Sequence, residues 1–216
     1  MEKILSWFLM IFLITGIGFS EETSSKAKEV FKEVYEKILS SLPSGFSAEL
    51  KGESIEKKLK SIPKDSYINK NKRIYLDVNY SKSEGISFVV RNADELYKDL
   101  FKNLPKQIFA FDLLFSKNTN IFEKYEVKIE LEDEKNLILS LSPKKAENKG
   151  IIYYDKSSGR VMRIDYQVGS DLLSTTIVMY KSINGFQIPY KFITKEVTRE
   201  KSTLPEIYEL DNIRIR

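Results

Sequence analysis

The run Tyr125-Glu126-Val127-Lys128-Ile129-Glu130-Leu131-Glu132-Asp133-Glu134-Lys135-Asn136-Leu137-Ile138-Leu139-Ser140-Leu141 decides the fold class. Val127, Ile129 and Leu131 alternate with Lys128, Glu130 and Glu132, the period of two that sets one strand face in a core and the other in water. Asp133 to Asn136 is turn chemistry, and Leu137 to Leu141 is apolar again, so the stretch reads as an antiparallel hairpin. Its acidic residues could be taken for a carboxylate pair or a Ca²⁺ site. Glu130 and Glu132 lie on the wet face and Asp133 on the turn, so a solvated hairpin is the reading adopted.

The same pattern continues in both directions. Ile151 to Tyr154 reaches the turn Asp155-Lys156-Ser157-Ser158-Gly159, followed by Val161 to Gln167 and Thr175 to Tyr180. Asn184-Gly185 marks a tight hairpin before Ile188, and Phe186 to Val197 and Ile207 to Ile215 complete that half. Upstream, Ile74, Leu76, Val78 and Tyr80 alternate with Arg73, Tyr75, Asp77 and Asn79. Ile86 to Val90 follows after Ser83-Glu84-Gly85. The spacing predicts about eight to ten strands.

Two stretches have the helical period instead. Residues 24–42 place Ala27, Val30, Phe31, Val34, Tyr35, Ile38 and Leu42 on one face, with Ser24 or Ser25 as cap and Pro43-Ser44-Gly45 as stop. Lys and Glu alternate on the other face, which suits packing on a sheet better than lying on a membrane. A second helix is expected from Asn92 or Asp94, with Leu96, Tyr97, Leu100, Phe101 and Leu104 before Pro105. Its continuation, Ile108 to Phe115, is the most apolar piece after residue 20, and something must cover it.

The first twenty residues read as an address. Lys3 precedes an apolar stretch from Ile4 to Phe19, and Gly18-Phe19-Ser20 puts small residues where a signal peptidase reads, so cleavage is expected between Ser20 and Glu21. The rival is an uncleaved anchor, but Ile4 to Phe19 spans only about 24 Å as a helix against a bilayer core of about 30 Å. No Cys adjoins the cleavage site to carry a lipid. Residues 21–216 show no repeat or linker and are expected to form one exported domain, with residues 146–149 its best loop.

Composition removes much chemistry. The 216 residues hold no His and no Cys, which excludes Ser-His-Asp and Cys-His nucleophile systems, imidazole or thiolate zinc sites and disulfides. Ser-x-x-Lys occurs at Ser25/Lys28, Ser54/Lys57, Ser61/Lys64 and Ser142/Lys145, about the chance frequency, and without the companion elements of a serine acyl enzyme. No cofactor and no enzyme activity is expected. The formal charge of +4 is spread among interleaved signs, without the basic stripe of a nucleic-acid binder. Lys64, Lys70, Lys72 and Arg73 sit around turn residues and read as a solvated loop, with contact to an anionic partner as the alternative.

So many strands, each apolar on one face, expose more apolar area than two helices easily cover, so the sheet must curl around them, leave a lipophilic hollow or meet a partner, and curling over a helical plug is the economical answer. The fold class expected is mainly β (α+β), an open, curled antiparallel half-barrel with helices packed in the concave face as plug or lid. Phe101, Leu104, Ile108, Phe111, Leu114 and Phe115 are the lid candidates. Ile74, Leu76, Val78, Ile86, Phe88, Val127, Ile129 and Leu131 are the wall candidates. The pattern leaves open whether they form a plain core or a movable cover.

Three pieces in order, Leu139-Ser140-Leu141-Ser142-Pro143-Lys144-Lys145, then Ile152-Tyr153-Tyr154-Asp155 with Ser158-Gly159-Arg160-Val161, then Tyr180-Lys181-Ser182-Ile183-Asn184-Gly185-Phe186-Gln187-Ile188-Pro189, give a resemblance. Together with the exported helix they resemble the periplasmic outer-membrane lipoprotein carrier and lipoprotein-sorting family (LolA-like). The resemblance implies a soluble periplasmic monomer that holds acyl chains of a lipoprotein or lipid in its hollow, between an envelope membrane-protein donor and a receptor. The alternative is a non-enzymatic envelope module that binds a protein partner. The family's carriers tie the lid with a cavity arginine. Arg73, the first arginine after residue 20, has the parity of the wet face, so no latch is carried over.

Overall fold

The computed structural model describes residues 25–104, 108–115, 125–143, 148–169, 172–198 and 202–216. Residues 1–24, with the expected cleavage site at Ser20 and Glu21, and residues 146 and 147 of the loop at 146–149 lie outside them. Helix α1 spans residues 25–41. Strand β1 (Gly45–Lys51), helix α2 (Glu53–Lys60), β2 (Tyr75–Ser81), β3 (Gly85–Arg91), α3 (Glu95–Lys98) and α4 (Phe109–Phe115) follow. The rest is strand: β4 (Tyr125–Glu132), β5 (Asn136–Pro143), β6 (Lys149–Asp155), β7 (Arg160–Val168), β8 (Leu172–Ile183), β9 (Phe186–Thr198) and β10 (Glu206–Ile215).

All ten strands form one antiparallel sheet in the order β3-β2-β1-β10-β9-β8-β7-β6-β5-β4. Every neighbour pair is consecutive in sequence, with α2 inserted between β1 and β2, except β1 with β10, the seam that joins the two meanders through pairs such as Leu50 with Leu210. Among the described residues the two free edges are β3 and β4, which are consecutive in the chain, so the segment carrying α3 and α4 passes between edges instead of making a hairpin. That passage lays α4 across the concave face.

The sheet curls around α4. Phe111 on α4 has its ring centroid 5.7 Å from Phe88 of β3 and 4.6 Å from Phe192 of β9. Four strand spacings separate β3 from β9, about 19 Å in a flat sheet, so one phenyl ring reaches both only because the sheet wraps inward. Ala110, Phe111, Leu113, Leu114 and Phe115 are all buried, which is why this helix is apolar on nearly every face.

The outer face carries the interleaved charges as neighbouring-strand ion pairs: Lys51 with Asp211, Arg91 with Asp77, Lys191 with Glu209. Arg73 lies on this face as its parity requires, and it forks onto both oxygens of Glu49 at 2.6 Å. The pairs exposed on both sides, such as Lys51 with Asp211, each contribute about 1 kcal/mol or less. The loop before β2 is pinned by Asn92, which adopts a left-handed φ of 61° and donates its amide to the carbonyls of Asn69 and Lys72.

Three expectations need correction. Leu131, expected in the inner wall, is 47% exposed. A bulge between Ile129 and Leu131 shifts the register against β5, pairing Leu131 with Ile138 on the outer face; one extra residue inverts the parity of all that follow. The helix expected from Asn92 or Asp94 is the four-residue α3, and Leu96 is 91% exposed. Beyond α3 the chain proceeds by i to i+3 bonds, Leu100 to Tyr97, Lys102 to Asp99 and Leu104 to Phe101, a tighter turn that brings Phe101 and Leu104 inward while leaving Leu96 outside. Helix α2, which the reading of period two after Gly45 passed over, packs Ile55 and Leu59 inward.

Candidate functional site

The concave face under α4 is the candidate site, and aromatic rings fill it. Besides its contacts to Phe88 and Phe192, Phe111 lies 6.3 Å from Tyr208 of β10. Phe115, one turn on, meets Phe46 of β1 at 5.8 Å and Tyr80 of β2 at 5.5 Å. Five strands and α4 thus share one aromatic cluster. Of the lid candidates, Phe101, Leu104, Ile108, Phe111, Leu114 and Phe115 are all buried. Of the wall candidates, Ile74, Leu76, Val78, Phe88 and Val127 are buried, Ile86 and Ile129 are half-buried against the same core, and Leu131 is outside it.

The cluster has a polar corner. The hydroxyl of Tyr80 is buried without a hydrogen-bond partner among the described residues. Burial, and secondarily the neighbouring Tyr35, push its pKa up to about 12. Burial and then the negative charge of Asp112 push the Tyr35 hydroxyl on α1 up to about 12 as well. A buried hydroxyl left unpaired costs about 1–3 kcal/mol. This cost is stored directly beneath α4 and is relieved if water enters.

One end of α4 is clamped at the rim. Phe109, the half-buried first residue of the helix, stacks on Tyr166 of β7 at 4.9 Å with the rings 22° apart. One edge of the Phe109 ring also lies against Gly150 of β6: a Cβ there would sit 2.8 Å from Phe109 Cε1 and 2.9 Å from Cζ. Glycine is required at this position for the ring to approach the backbone, a signal no periodicity carries.

Beside this clamp lies a cleft of about 320 Å³, at the lower end of the range for small-ligand sites, about 300–1,000 Å³. Leu104, Ile108 and Phe109 form its lid side, and β7 to β10 form its floor. Sequence reasoning did not mark the floor as a site, because its polar residues, Ser174, Thr176, Thr194 and Glu196, alternate on strands as ordinary surface residues do. Among the described residues no group of His, Cys, Asp or Glu side chains could hold a metal ion.

No protein-family model matches the chain, and no curated protein matches it. The chain is similar to a LolA superfamily protein of known crystal structure from Nitrosomonas europaea, with a TM-score of 0.50 at 12% identity, over 86% of this chain and 93% of that one. The fold is LolA-like: an open, curled antiparallel sheet with helices in its concave face.

Proposed function

We propose that the protein is an exported, non-catalytic carrier that takes acyl chains of a lipoprotein or lipid into the space α4 occupies and passes them toward the outer membrane. The observation that carries this reading is α4 itself: a seven-residue apolar helix that fills the hollow with Phe111 and Phe115 and comes, in the chain, between β3 and β4, the two free sheet edges among the described residues. Leaving its seat would open an apolar trough walled by Phe46, Leu76, Phe88 and Phe192. Each CH₂ group buried there contributes about 0.8 kcal/mol, so chain burial can offset the packing α4 gives up. The unpaired Tyr80 hydroxyl lowers the cost of opening. The LolA-like fold supports the reading, as does the N-terminal segment that reads as an export signal. On this reading the protein works in the periplasm between a membrane-embedded donor and a receptor.

Native mass spectrometry of the protein purified from the periplasm, followed by organic extraction, tests this. An acylated species that co-purifies, leaves on unfolding and is missing from Phe111→Asp supports the carrier. A clean apo mass that also refuses added lipid or lipopeptide contradicts it. The second reading, an envelope module of the same fold that binds a protein, is favoured by the completeness with which the hollow is filled, and crosslinking in the envelope would then identify the partner.

A further inference from the structure

The cleft beside Phe109 differs in chemistry from the trough it adjoins. Its floor is lined by the hydroxyl-bearing residues Ser174 and Thr176 on β8, Thr194 on β9 and Tyr208 on β10, and by Glu196 and Glu206. The described residues that line it include no Lys or Arg, in a chain whose basic residues outnumber its acidic ones by 35 to 31. Thr176 is only 5% exposed, and its hydroxyl lies 3.0 Å from that of Thr194. Two hydroxyls in mutual contact share one proton between them, so the pair keeps one donor and spare lone pairs for a ligand.

The two carboxylates play different parts. Glu206 is committed: one oxygen accepts the Ser54 amide at the start of α2 at 3.0 Å, and the other accepts the Tyr208 hydroxyl at 2.7 Å. At Glu196 the backbone, not the side chain, bonds Thr203, through its amide at 3.0 Å and its carbonyl at 3.1 Å. Glu196 lines the cleft, and an ionised carboxylate there offers only acceptors.

We infer that this cleft is the head-group subsite of the carrier, taking an acylated ligand whose head donates hydrogen bonds or carries positive charge, such as an ammonium or amide, and disfavouring a carboxylate or phosphate head. The inference rests on the carrier reading: the chain lies in the trough under α4, and the head stops at the acceptor-rich floor between β7 and β10. General electrostatics favours the opposite choice, because a protein of net charge +4 attracts anions. A preference for a cationic head would therefore report the local site.

Isothermal titration of the protein with dodecylammonium and with dodecanoate, both below their aggregation thresholds at neutral pH, tests it. The expected result is at least tenfold tighter binding of dodecylammonium, with the ratio falling several-fold in Glu196→Gln, whose exposed side chain is not needed for folding. Thr176→Val, a near-isosteric change at the floor, should weaken dodecylammonium and leave dodecanoate unchanged. Equal affinities, tighter dodecanoate, or a ratio that Glu196→Gln does not move would overturn head selection while the carrier reading stands. If neither amphiphile binds, the carrier reading falls and the head-group subsite with it. Once selection holds, an aminoacylated or ethanolamine lipid and an acylated peptide, titrated separately, distinguish the sources of such a head.

Discussion

Tyr80 and Gly150 test α4 at single atoms. Removing the unpaired hydroxyl in Tyr80→Phe should stabilise the closed protein by about 1 kcal/mol or more, since a buried donor without a partner costs about 1–3 kcal/mol. The same change should weaken acyl-ligand uptake. A destabilised Tyr80→Phe would mean the hydroxyl is paired in solution. Gly150→Ala puts a methyl where Phe109 now lies. Loss of the Phe109–Tyr166 stack costs about 0.5–1.5 kcal/mol, and Ala in place of Gly in a strand returns about 0.5–1 kcal/mol. Global stability should therefore change little while amides in 109–115 exchange faster; unchanged exchange would show that the stack does not hold the helix. Asp155 accepts bonds from the Ser157 and Ser158 hydroxyls and the Ser157 amide, which hold its carboxyl at about 2. A depressed carboxyl pKa stabilises the fold above its unfolded value of about 4, and that stabilisation disappears as pH falls toward about 2. Acid titration of Asp155→Asn should lack this component.

At the scale of elements, the β8–β9 hairpin is held by Asn184 and Gly185 at φ of 50° and 84°, the left-handed pair of its two-residue turn. Asn184→Ala forces an unfavourable left-handed residue and should cost about 1–2 kcal/mol, read as a lower denaturant midpoint at unchanged slope. Such turns are legible in a sequence because their chemistry is local; the turns at Asp133–Asn136 and Asp155–Gly159 are further cases. The seam between β1 and β10 has no local sign, since it joins residues about 160 positions apart, such as Lys51 and Asp211. Leu131 could not be placed for a related reason. Its bulge belongs to the register with β5 rather than to β4 alone. Helix α2 was legible in principle: Ile55 and Leu59 stand four apart, with acidic residues in the first turn and basic residues in the last. Leu96 fits a helical stripe that tertiary packing overrides. The lid residues could be found because Ile108 to Phe115 is too apolar to face water, whereas the cleft floor, built from residues of β7 to β10, could not.

For the whole molecule, the hollow and its plug act as one unit. Tyr35 on α1 and Tyr80 on β2 are both pushed up to about 12 by burial, so stability should be complete below about pH 10 and fall as pH rises toward 12, followed by tyrosinate absorbance. The one tryptophan, Trp7, lies in the segment expected to be cleaved, which leaves the mature protein's near-ultraviolet signal to its tyrosines and phenylalanines. A helix of seven residues is marginal without its host, so α4 keeps its form only while the trough holds it. Hydrogen exchange with and without a bound lipopeptide tests this most directly. The account predicts that amides in 109–115 lose protection when the acyl chain enters while those of β8 and β9 keep theirs. Saturated ligand with α4 still fully protected would contradict it, and would mean that the helix is core and the acyl chain binds elsewhere.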